Sequence, residues 1–115
     1  MNEVYLLWES YISNKLIPIG VLKQINNKYL FQYLDSAKLA INEGCFVPFP
    51  YTKEILFFDT LPDFFEQRIL KGEFYYQKFN LKDKNQLNCL VYNDSIKNTD
   101  NFKIVSKEKY DKIMN

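Results

Sequence analysis

Hydrophobic and polar positions change period several times along the chain, and each change predicts an element. EVYLLWES (3–10) is β-branched and aromatic enough to be a strand. LIPIGVLKQI (16–25) predicts a second strand. Gly20 in its middle marks a bulge or a close approach, and Pro18 is expected at a sheet edge or at the strand's start. Asn26-Asn27 is a hairpin-turn signal, because Asn tolerates positive φ. KYLFQYL (28–34) then alternates, with Tyr29, Phe31 and Tyr33 on one face and Leu30, Gln32 and Leu34 on the other. The three segments together predict a meander.

The period then lengthens. Asp35 or Ser36 is placed to cap a helix over SAKLAINEG, with Ala37, Ala40 and Ile41 inward and Gly44 as its stop. FVPFPYTKEILFF (46–58) holds two prolines, so an extended, partly buried loop is expected there, with a short turn near Glu54–Phe58. Asp59 or Thr60 is expected to cap the next helix, with Pro62 in its first turn, Asp63 at its positive end and its finish between Leu70 and Gly72. Leu61, Phe65 and Ile69 share its core-facing side at i+4 steps. EFYYQKFN and KNQLNCLVYN read as short helices, the second with Leu87, Leu90 and Val91 on one side. NDSIKNTDN (93–101) reads as a loop, FKIVS (102–106) as a returning strand, and Ser106 as the cap of KEKYDKIM. The fold class expected is α+β. A small antiparallel sheet, made of an N-terminal three-stranded meander plus a C-terminal strand, packs against short helices in one domain over 1–115.

Composition mostly removes options. Fifteen basic and 14 acidic residues leave a net charge of +1. Residues 1–60 sum to −1 (five Lys, six Asp/Glu) and residues 61–115 to +2 (ten Lys/Arg, eight Asp/Glu), so neither half is a basic footprint for phosphates. The chain has no His, which removes the commonest general base, the Ser-His and Cys-His pairs and most transition-metal sites. Three glycines, Gly20, Gly44 and Gly72, provide no phosphate-binding loop. Cys45 and Cys89 lack metal-ligand spacing and read as reduced thiols of a cytoplasmic protein, since no signal peptide is legible in Met1 to Ser10. No apolar run approaches the ~20 residues of a membrane span. Neither a cofactor nor a metal is expected, and the chain does not read as an enzyme.

Aromatic residues carry what remains: ten Phe, nine Tyr and one Trp. Trp8 reads as core. Arg68, the only arginine, follows Phe64 by four residues and is expected to stack on a ring or to pair with Asp63 or Glu66. Phe49, Tyr51 and Phe57 on the proline loop read as mainly buried, with presentation to a partner as the alternative. YYQKFNLK (75–82) interleaves rings with Lys, as a single-strand base-stacking surface would, but nucleic acid is not the favoured partner.

Several of these residues resemble a known family. GVLKQINNKYLFQYLDSAKLA resembles the start of the N-terminal domain of HipA-type kinases, with Gly20, Phe31 and Tyr33 at matching positions. Phe49 and Pro50 resemble the family's proline segment. LPDFFEQRILKGE resembles its F-F-x-N-L-L-P-E-G-E pattern through Phe64, Phe65, Gly72 and Glu73. A subgroup found ahead of HIRAN domains is closer still, matching Phe49-Pro50, Leu61, Phe65, Arg68-Ile69 and Thr99-Asp100-Asn101-Phe102. The departures are Leu70-Lys71 in place of Pro-Glu, and NDSIKNTDN in place of a glycine-rich segment. No phosphotransfer motif accompanies the match. The resemblance implies a free-standing N-terminal domain like HipS, the component of three-part toxin–antitoxin systems that binds and inhibits a separate HipA-like kinase. Expected partner contacts are Tyr51, Phe57, Phe64 and Arg68. A nucleic-acid-binding accessory module and a mobile-element-encoded inhibitor of a host enzyme are the alternatives.

Overall fold

A computed structural model of the chain describes residues 2–51, 55–68, 87, 90, 91 and 100–114. Within them the fold is α+β, a five-stranded antiparallel sheet with short helices. Strands β1 (Glu3–Glu9), β2 (Leu16–Ile25) and β3 (Lys28–Tyr33) form the expected meander. Helix α1 (Ala37–Asn42), strand β4 (Ile55–Phe58), helix α2 (Asp63–Glu66), strand β5 (Phe102–Ser106) and helix α3 (Lys107–Met114) follow. The strand order is β4-β3-β2-β1-β5, so the returning strand closes on β1.

Asn26 and Asn27 turn the β2–β3 hairpin with φ of 49° and 67°, both left-handed. α1 ends at Glu43 as the spacing predicts. Gly44 has φ +101°, its N–H bonds to Ile41 O at 3.1 Å, and the Cys45 N–H bonds to Ala40 O at 2.9 Å. That bond pair is the Schellman termination, which satisfies otherwise orphaned helix carbonyls. Ser106 caps α3, its Oγ accepting from the Lys109 N–H at 3.2 Å.

One sheet face builds the core. Val4, Leu6 and Trp8 from β1, Leu22 from β2, Tyr29, Phe31 and Tyr33 from β3 and Ile104 from β5 meet Ala37, Ala40 and Phe65 from the helices. Leu87 and Leu90 are helical and buried in the same cluster, with Val91 packed against it. On the other face, Tyr110 of α3 stacks on Tyr5 with ring centroids 3.9 Å apart.

The β2 alternation is interrupted. Leu6 faces Gly20 and Leu7 faces Pro18, so Ile19 is an inserted residue and the strand bulges. Gly20 therefore turns towards the core, where the Phe31 ring fills the space a side chain would take. A Cβ at Gly20 would lie 2.6 Å from Phe31 Cε2 and 2.7 Å from Gln32 O. Both readings of this glycine, bulge and close approach, hold together.

Four expectations need correction. Ile55–Phe58 is a strand rather than loop or turn: β3 offers an unpaired side, and ILFF ladders onto it with Leu30 opposite Phe57. Pro18 is not on an edge strand, because β2 is central. It is the third residue of β2, beyond the reach of the β3 ladder, which starts at Gly20. Neither Asp59 nor Thr60 caps α2: Pro62 occupies the N-cap and its carbonyl accepts from Phe65 and Glu66 N–H at 2.9 Å. Ser36 is the N-cap of α1 but makes no capping bond, since its Oγ donates to Pro18 O at 2.6 Å. Described α2 stops at Glu66. The expected helix over 73–80, the expected helix end between Leu70 and Gly72, Cys89 and the loop before Asp100 lie outside the described residues.

Replacing Gly20 by Ala drives a methyl into Phe31 and the Gln32 carbonyl and is expected to cost about 3 kcal/mol. Urea unfolding midpoints test this, and adding Phe31→Leu is expected to recover part of the loss.

Candidate functional site

Of the four partner contacts expected from sequence, three side chains are engaged within the fold. Tyr51 packs edge-on against Tyr33, with centroids 4.9 Å apart. Phe64 packs edge-on against Phe102 at 5.2 Å and Phe65 at 5.1 Å. Arg68 lies over the Phe64 ring at 5.9 Å, as the i+4 spacing suggests. Its ion pair is with Asp100 at 2.7 Å, not with Asp63 or Glu66. Nη2 donates to Phe102 O at 3.1 Å, so the guanidinium lies across the outer side of β5. Only Phe57, 77% exposed on β4, projects freely into solvent.

The two faces of β4 explain that difference. Leu56 and Phe58 point to the core, and Phe58 contacts Phe49 at 5.0 Å. Ile55 and Phe57 point the other way, onto the part of the second face beyond α3.

The proline loop is held by Tyr33. Its hydroxyl donates to Phe49 O at 2.5 Å and accepts from the Phe49 N–H at 3.1 Å. Phe49 packs on Phe31 and Phe65, in keeping with the burial expected for that ring. Burial pushes the Tyr33 hydroxyl up to about 12, against an opposing pull from the Phe49 backbone, with Cys45 and Tyr51 adding to the rise. Burial likewise lifts the Cys45 thiol to about 11. Cys45 is a buried free thiol, as read from sequence.

A second exposed apolar surface was not singled out from sequence. The β1–β2 loop carries Tyr11 and Ile12, each 73% exposed. The loop is closed by buried Ser10, whose Oγ accepts from the Ile12 N–H at 3.0 Å and the Ser13 N–H at 3.2 Å. The Ser10 hydroxyl donates to Glu43 Oε1, and Ser13 Oγ donates to the same oxygen at 3.0 Å. Glu43 thus pins the loop against the C-terminal end of α1, where Leu39 is exposed and Phe46 is 92% exposed. Ser10-x-x-Ser13 signals a local turn, but nothing in the sequence links it to Glu43, thirty-three residues away.

No group of three or more His, Cys, Asp or Glu among the described residues is arranged to hold a metal. An open cleft of about 330 Å³ beside the β2–β3 turn brings Asp59 and Glu66 near Tyr29, but Asp59 is paired with Lys28 at 3.5 Å. No helix among the described residues is long and apolar enough to cross a membrane. The base-stacking stretch 75–82 lies outside the described residues. No protein-family model matches the chain, and no curated protein matches it.

The two most strongly raised acid groups, Tyr33 and Cys45, set an alkaline limit on stability, with Tyr5 and Tyr29 raised in the same direction. Each stays neutral in the folded chain to a higher pH than when unfolded, so unfolding releases protons at high pH. Stability is expected to be full below pH 9.0, Cys45's ordinary value, and to fall as pH rises through 11 and 12. In Cys45→Ala the fall should begin near 10.0, the ordinary tyrosine value, rather than 9.0. Denaturant midpoints measured from neutral to alkaline pH test this, and equal onsets would contradict it.

Proposed function

We propose that the chain is a non-catalytic, protein-binding regulator, cytoplasmic and similar in role to the HipS component that restrains a HipA-like kinase. The observation that carries this reading is the exposed apolar end formed by Tyr11, Ile12, Leu39 and Phe46. Large rings left in water cost free energy that a protein partner recovers. The Ser10–Glu43 link holds this patch in one shape before binding, which lowers the ordering cost of association. Restraint of the kinase would be steric and conformational: the bound domain prevents ATP or substrate geometry from being completed.

The side chains proposed to bind there are apolar, so binding should resist salt. A tagged chain is expected to retain a kinase from its native lysate at both low and about 0.5 M salt. Phe46→Ala is expected to weaken retention at least about tenfold, as loss of a central aromatic anchor does. Glu43→Gln should weaken it less. Recovery of nucleic acid alone, lost at high salt, would replace this reading with the accessory-module alternative.

A further inference from the structure

The two outer strands of the sheet are protected very differently. Along β5, Arg68 donates to the Phe102 carbonyl, and Lys103 stands exposed in the middle of the strand. Charge on an edge opposes pairing with another strand, because pairing would desolvate it. β4 has neither device. Ile55–Phe58 contains no charge and no proline, and among the described residues it ladders with β3 alone. Its antiparallel ladder turns alternate backbone N–H and C=O groups outward. Beside them stand Ile55, 43% exposed, and Phe57.

From this contrast we infer that β4 pairs antiparallel with β4 of a second copy of the chain, about a two-fold axis at Leu56. In that register Ile55 of each copy lies opposite Phe57 of the other, so both solvent-facing side chains of the strand become cross-strand pairs. The exposed residues are placed symmetrically about Leu56, so the strand is its own complement, as an isologous contact requires. Charge favours the same occupant. The strand is neutral, the nearest ion pair, Lys28–Asp59, is satisfied within one copy, and a net charge of +1 gives two copies little to repel. A charged partner would find nothing on this strand to match. Four residues on each side bury less than the ~1,600 Å² of a standard interface, so the dimer is weak and concentration-dependent. It uses side chains other than Phe46, so it goes beyond the partner binding proposed above.

Sedimentation equilibrium of the full chain from about 5 to about 500 µM tests the pairing. The wild-type mass is expected to rise towards twice the monomer. Ile55→Lys and Phe57→Glu are each expected to remain monomeric, because each places a lone charge opposite an apolar side chain in the new ladder. Mixing the two variants should restore association, since the lysine of one then faces the carboxylate of the other. Far-ultraviolet circular dichroism checks that each variant is folded. Should either charged variant fail to fold, Phe57→Ala replaces the charge swap, with a loss of at least about fivefold in association expected. A wild-type chain that stays monomeric throughout, or variants that associate as the wild type does, would overturn the inference. Neither result touches the retention of a kinase by the Phe46 end, so the two proposals fail separately.

Discussion

The Phe31 ring occupies the volume that any side chain at position 20 would need, and the surrounding core is arranged about that contact. A glycine inside a strand costs roughly 0.5–1 kcal/mol in backbone entropy. Full burial of a phenylalanine returns roughly 1.5–3 kcal/mol, so the exchange favours the ring. Phe31 then meets Tyr33, Phe49 and Phe65 edge-on at 4.9, 5.1 and 5.9 Å. Those three rings belong to the meander, the proline loop and α2. The bulge at Ile19 brings Gly20 to the core side of β2, so β-sheet geometry and aromatic packing depend on each other.

From this centre the sheet becomes asymmetric in two ways. One face carries the aromatic core; the other is covered over β1 and β5 by α3, through the Tyr5–Tyr110 stack, and stays open towards β4. One edge is guarded by the only arginine, whereas Ile55–Phe58 on the other carries no charge. Arg68 stands beside so many rings for a structural reason. The Phe64 ring, packed on Phe102, lies under the guanidinium, while Asp100 and the Phe102 carbonyl accept its hydrogen bonds. A lysine has no planar fork with which to do all three.

Under the proposed reading, surfaces rather than reactive groups carry the function. The hydroxyls and carboxylates that do come together, Ser10, Ser13 and Glu43, are spent on fixing a loop. The tyrosine and cysteine with the most displaced acidities are buried and neutral at ordinary pH. The large hydrophobic side chains that reach solvent include Phe46 and, on β4, Ile55 and Phe57.

Local rules made much of this legible from the amino-acid order. The alternation of Tyr29, Phe31 and Tyr33, the left-handed Asn26-Asn27 turn, the Gly44 stop and the Ser106 cap each depend on residues a few positions apart. The α+β class follows from summing such signals. Tertiary structure alone decided the rest, because the deciding partner was distant. Ile55–Phe58 became a strand only because β3 had a free side to accept it after two prolines. Arg68 chose Asp100 over two nearer carboxylates because β5 returns beside α2. Glu43 reached Ser10 across the β1–β2 loop for a similar reason. Phe57 and Phe58 are adjacent and chemically identical, so period two required them to part. Which one entered the core and which was left exposed was settled by the side from which β4 joined the sheet.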